Sequence, residues 1–219
     1  MNRLALFDCD GTLVDSQANI CGAMEETFVG AGLAAPSREA IRRVVGLSLF
    51  EVMAALLPDA DAPFHHRMAA DYKAAFFRLR TSGAFADEPL FEGMIPALDA
   101  LAEAGWLFGV ATGKSDRGLA HVLGHHGIAA RFVTLQTADR HPSKPDPSMI
   151  VTAMAEAGAT PETTVMIGDT SYDMMMARAA GTAALGVAWG YHPTDELTAA
   201  GAHLIAATVA DLPRHMETL

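Results

Sequence analysis

Lysine, cysteine and long apolar runs are all scarce in this chain. Of 219 residues, three are Lys and 12 are Arg against 26 acidic residues, which leaves a formal net charge of −11. With so few and such scattered cations, no extended basic face for nucleic acid or anionic lipid is expected, and an anionic ligand has to be held by local devices. Cys9 and Cys21 are the only cysteines, so a multi-disulfide framework is excluded. No Cys/His spacing matches a zinc site, and the pattern suits a reducing compartment, with the cytoplasm as the expected location. The longest uncharged stretch, Ala179 to Thr194, is broken by Gly181, Gly186, Gly190 and Pro193. It falls short of the roughly 20 apolar residues that a membrane helix needs. Only Leu4 to Phe7 is apolar before Asp8, so no signal peptide is expected. What remains is 51% hydrophobic and 19% charged, the composition of a folded globular chain rather than a disordered one.

Short apolar runs alternate with helical patterns. Leu4–Phe7, Trp106–Ala111, Thr164–Ile167 and Ala183–Trp189 each end at a Gly-containing turn and read as buried strands, with Phe132–Leu135 a weaker fifth. Between them Ile95–Ala104, Pro147–Ala157 and Tyr172–Ala180 read as helices stopped by Gly105, Gly158 and Gly181. Alternation of this kind predicts an α/β fold with a doubly wound, Rossmann-like parallel sheet. From Ser16 to Ala86 only helical patterns occur, with Ser37 as one cap and Asp61 followed by Pro63 as another start. The expected organisation is a core made of residues 1–15 and 87–219, and a small α-helical cap of residues 16–86 inserted after the first strand.

Ligands of doubly wound sheets bind beyond the carboxyl ends of the strands. Asp8 and Asp10 follow the first strand, Thr112 follows the second core strand, and Asp169 follows Thr164–Ile167. Carboxylates that converge are costly without a cation, and oxygen ligands with few positive neighbours favour Mg²⁺ over zinc. Any one of these residues alone is equally a turn former or cap.

Four segments together resemble the motifs of the haloacid dehalogenase (HAD) superfamily. Asp8-Cys9-Asp10-Gly11-Thr12-Leu13-Val14-Asp15-Ser16 is similar to its first motif, and Thr112 in Ala111-Thr112-Gly113-Lys114 to its second. Lys144 before Pro145 is similar to the third, and Gly168-Asp169-Thr170-Ser171-Tyr172-Asp173 to the fourth. The resemblance implies that Asp8 is a nucleophile forming an aspartyl-phosphate and that Asp10 is a general acid and base. It implies Mg²⁺ held by the Asp8 side chain, the Asp10 carbonyl and Asp169, with Asp173 either a further ligand or only a first-turn helix acid. Thr112, Gly113 and Lys144 are the implied phosphate donors, with Gly11 and the cap loop residues Gly46 and Ser48 as further substrate contacts. Seen alone, Lys144 in its proline-rich turn reads equally as an ordinary surface lysine, and Lys114 as a residue that simply flanks a helix start.

Val45–Ser48, Asp169–Gly181 and Val187–Tyr191 look most like the phosphoglycolate phosphatase-like branch. The implied activity is Mg²⁺-dependent hydrolysis of a small phosphorylated metabolite by a monomer or homodimer. Pyrophosphatase, nucleotide phosphatase, sugar phosphomutase and an idle binding module remain alternatives. Asp10 argues against dehalogenation, and Lys73, the one cap lysine, reads as lying on a helix face far from the first cap loop. A mutase would need a cation there, for which Arg43 would have to turn inward. Cys9 is expected in the core, and His65-His66 and His125-His126 at the surface or helix ends.

Overall fold

Six short strands line up in one sheet, and those at its centre, covered on both faces, are apolar almost throughout. The computed structural model describes residues 1–219. The strands are β1 (Arg3–Phe7), β2 (Trp106–Thr112), β3 (Phe132–Thr137), β4 (Thr164–Gly168), β5 (Ala183–Val187) and β6 (Leu204–Ala206). All pair in parallel in the order β3-β2-β1-β4-β5-β6. The chain builds β1, β2 and β3 outward on one side and then crosses to lay β4, β5 and β6 on the other. This reversal puts the crevice of the fold at the carboxyl ends of β1 and β4.

Helices cover both faces. One core contains Phe7, Leu98, Phe108, Leu123 and Val187, and the other contains Leu4, Leu6, Met149, Met166 and Met174. The alternation of β1 residues between the two cores follows from the two-residue period of a strand. Each such fully buried side chain contributes about 1.5–3 kcal/mol. The core helices are α5 (Met94–Glu103), α6 (Asp116–His125), α7 (Ser148–Ala157), α8 (Ser171–Ala180), α9 (Thr194–Ala199) and α10 (Leu212–Met216). They follow the four cap helices α1 (Gln17–Gly30), α2 (Arg38–Val44), α3 (Leu49–Leu56) and α4 (Ala62–Thr81). No helix is long and apolar enough to cross a membrane.

The helices α1 to α4 have a core of their own, with Met24, Phe28, Ile41, Met53 and Met68 buried together. Their starts are set by side-chain caps that satisfy otherwise unpaired first-turn amides. Ser37 Oγ accepts from the Ala40 amide, and Asp61 Oδ1 from the Phe64 amide with Pro63 in the first turn. The outgoing and returning chains run side by side. Asp15 donates its amide to Pro89 O at 2.9 Å, and the Asn19 side chain both donates to Ala86 O and accepts from the Ala86 amide.

The sheet departs from the pattern of the sequence in three places. β6 is a three-residue edge strand with no readable period. β3 runs on through Gln136 and Thr137, which are polar yet buried because each finds a partner: Gln136 donates to Thr134 Oγ1, and Thr137 donates to Asp116 Oδ1. β5 stops at Val187, and the Ala188–Gly190 turn then brings the chain against Asp169. Cys9 is buried in the core as expected. His65, by contrast, is buried on α4, with Nε2 against Leu57 O at 2.9 Å, while His66 is exposed.

Candidate active site

Asp8 is the first residue past β1, and its amide donates to Ile167 O at 2.9 Å, continuing the pairing of β1 with β4. Asp169 is the first residue past β4, and Asp173 lies one turn into α8. A carboxylate oxygen from each of Asp8, Asp169 and Asp173 lies within 4.8 Å of the others, and all three residues are buried. The nearest cation is Lys144, whose Nζ is 3.0 Å from Asp8 Oδ1 and 2.6 Å from Asp173 Oδ1.

The other oxygens of the cluster are pinned by the motif residues around them. Asp169 accepts from Thr12 Oγ1 at 2.8 Å and from the Tyr191 amide at 2.9 Å. Asp173 Oδ2 accepts from the Thr170 amide at 3.1 Å and hydroxyl at 2.7 Å, so the residue is at once a helix-capping acid and a member of the cluster. Asp8 Oδ1 accepts from the Cys9 amide at 2.7 Å, but Asp8 Oδ2 is buried with no partner. One ammonium cannot neutralise three carboxylates. The unsatisfied oxygen and the all-oxygen donor set fit a hard divalent cation.

Electrostatics follow burial. Desolvation pushes the Asp8 carboxyl up to about 7, with Asp173 and Asp10 adding to the effect and Lys144 opposing it. Burial, then the charges of Asp8 and Asp173, holds Asp169 well above the usual carboxylate range. For Lys144 burial works toward the neutral form, but Asp173 and Asp8 outweigh it and raise its pKa above the ordinary lysine value. The ammonium is thus held charged beneath the site.

Asp10 sits on the side facing the cap. Its Oδ1 is 2.8 Å from Lys114 Nζ and also accepts from Ser16 Oγ, which in turn lies 3.3 Å from the Tyr191 hydroxyl. Asp8, Asp10, Thr112, Gly113 and Lys114 open onto one cleft of about 140 Å³ between core and cap, which Gly46 and Leu47 close from above. Gly113 and the cap loop touch: a Cβ on Gly113 would lie 2.7 Å from Leu47 O and 2.8 Å from Gly46 O. Gly11 has φ +84°, and a Cβ there would lie 2.3 Å from Asp169 Oδ2, so two independent constraints demand glycine.

Not every expected residue reaches the cleft. Ser48 does not line it; its hydroxyl caps α3 and its amide donates to Ser143 Oγ at 2.8 Å, tying the cap to the Lys144 loop. Lys144 is fully buried, which replaces the surface-lysine reading. Lys114 lines the cleft; its position two residues past Thr112, on the loop leaving β2, is the signal that places it there. Lys73, expected on a helix face far from the first cap loop, lines the same cleft as Val45 and Gly46, with its ammonium 3.6 Å from Asp139. Arg43 points away and pairs with Glu196 at 2.6 Å.

The chain and its fold as a whole have known counterparts. The sequence profile of the haloacid dehalogenase-like hydrolases matches residues 5–187. Over 214 residues the chain is 35% identical to the "Probable phosphatase IndB" of Dickeya dadantii, covering 97% of this chain and 92% of that one. It is 30% identical to a phosphoglycolate phosphatase of Agrobacterium fabrum, covering 87% of this chain and 82% of that one. A solved hydrolase from Pseudomonas syringae superposes with a TM-score of 0.86 over 100% of this chain and 99% of that one; at 23% identity this speaks to the fold. The chain belongs to the haloacid dehalogenase-like hydrolases.

Proposed function

We propose that this protein is a Mg²⁺-dependent phosphatase that hydrolyses the phosphomonoester of a small metabolite through an aspartyl-phosphate on Asp8. The observation that carries this reading is Asp8 Oδ2, a buried carboxylate oxygen without a partner at the floor of a cleft flanked by Lys144 and by the Asp10–Lys114 pair. Asp8, Asp169 and the Asp10 carbonyl would hold the metal, with Asp173 beside them. Bound there, the ion supplies positive charge between the carboxylate and an incoming phosphate dianion.

The chain's own residues account for the rest. Asp8 attacks phosphorus, so an O–P bond to the carboxylate forms as the bond to the leaving oxygen breaks. Asp10 donates a proton to that oxygen and then takes one from the water that attacks the phosphoryl group; phosphate departs and Asp8 is regenerated. Lys144 opposes protonation of Asp8 from below. Thr112 and Gly113 line the cleft and would donate to the non-bridging oxygens, where charge gathers. The Gly46–Leu47 loop resting on Gly113 excludes water while the acyl phosphate forms.

Two buried, unpaired cysteines suit work in the reducing cytoplasm. The direct test is an acid quench during turnover, followed by mass analysis of the peptide that holds Asp8. A phosphate adduct on Asp8 is expected, and steady turnover with no adduct at any quench time would reject the intermediate.

A further inference from the structure

Resting on the phosphatase reading, the cleft also says what the leaving group looks like. Its floor is polar, but the walls that the leaving alcohol meets are Met24, Ile41, Val45, Val52, Tyr72 and Phe76, drawn from all four cap helices and the loop after α2. A two-carbon acid such as glycolate carries nothing to bury against such walls. The lining also includes two guanidiniums stacked on aromatic rings, Arg80 at 4.8 Å over Phe76 and Arg117 at 4.9 Å over Phe77.

Neither arginine pairs with a carboxylate, in a chain that carries a net charge of −11. Arg80 Nη2 is in addition buried without any hydrogen-bond partner. An orphaned charged donor is costly, and that cost is relieved by an acceptor brought in by the ligand. Stacking on Phe76 fixes the direction of the guanidinium before the ligand arrives, so little ordering is left to be done on binding.

We propose that the substrate is a phosphomonoester whose alcohol has a flat, apolar, ring-sized body bearing a carboxylate or carbonyl at the end away from the phosphate. The ring lies against the cap walls and the acceptor reaches Arg80 and Arg117, which set specificity.

Benzyl phosphate, 4-carboxybenzyl phosphate and 2-phosphoglycolate test this, because all three release an alkyl alcohol and differ chiefly in what the cleft can hold. The expected kcat/KM for 4-carboxybenzyl phosphate exceeds that for benzyl phosphate by about tenfold or more, and benzyl phosphate exceeds phosphoglycolate by a similar factor. In the Arg80→Gln/Arg117→Gln double variant the first of these ratios falls toward one. Equal or better turnover of phosphoglycolate, or a carboxylate advantage that persists in the double variant, overturns the proposal. The corresponding benzyl- and 4-carboxybenzylphosphonates, titrated into the wild-type protein, read the same preference without turnover. Preference in binding with no phosphate release from any ester rejects the phosphatase reading and keeps the cleft assignment; absence of preference in both rejects the cleft assignment.

Discussion

Lys144→Met is the substitution whose consequence the cluster determines most sharply. Methionine has similar length and fills the same buried space, so the change removes the charge rather than the packing. It takes away the only cation within reach of Asp8 and Asp173, at 3.0 and 2.6 Å, and leaves three buried carboxylates facing one another. Breaking a buried pair by removing one partner costs about 3–5 kcal/mol. For a chain of this size that is a fall in Tm of roughly 6–20 °C. The sign of the pH dependence follows from Asp8. Its carboxyl is raised to about 7 in the folded protein, so the folded state holds a proton that the unfolded state has released. This contribution is fully present at low pH and is lost as pH rises through about 7. Without Lys144 the proton is held more firmly still. The deficit of the variant is therefore largest near pH 8 and shrinks toward about pH 5.5, where Asp8 is neutral and less repulsion remains. Differential scanning calorimetry of both proteins in chelator at the two pH values measures this. A Tm loss of only a degree or two, equal at both pH values, would refute the view that Lys144 is the counter-charge of the cluster.

Other consequences are as direct. Gly113→Ala places a methyl group 2.7 Å from Leu47 O and 2.8 Å from Gly46 O, both backbone atoms, so the cap loop has to withdraw. Overpacking of this kind costs about 1–3 kcal/mol, which, charged to the closed state, lowers kcat/KM by roughly 5- to 150-fold. Steady-state kinetics read it, and an unchanged kcat/KM would mean that closure over Gly113 is not part of turnover. Because burial, reinforced by Asp173 and Asp10, raises Asp8 to about 7, Mg²⁺ bound there has to displace a proton at lower pH. Titration calorimetry in buffers of different ionisation enthalpy should show more proton release with Mg²⁺ binding at about pH 6 than at about pH 8. Release that is the same at both pH values would remove Asp8 from the ligand set.

The layout of the core was legible because the residues that build it carry the signal themselves. β1, β2 and β4 are covered on both faces, so their apolar runs are nearly unbroken, and the residues just past β1 and β4 are then bound to meet at the crevice. The polar end of β3 was hidden because Gln136 and Thr137 are buried on the strength of partners distant in sequence. The same limit governs the lysines. Whether Lys144 is a surface residue or the counter-charge of the cluster depends on where its loop docks, and no periodicity carries that information. The place of Lys73 is hidden for a related reason, since the spacing along α4 gives its faces but not the neighbours onto which they pack. Ser48 shows the converse: a residue on the right loop whose amide and hydroxyl are both spent on holding the loop in place.

The nucleophile of the proposed reaction is Asp8. Phosphate release with and without Mg²⁺, by the wild-type protein and by Asp8→Asn, tests that most directly. The prediction is metal-dependent release by the wild type and a loss of about a thousandfold or more in the variant, since an amide of the same shape cannot form the acyl phosphate. Turnover by Asp8→Asn at the wild-type rate would contradict it.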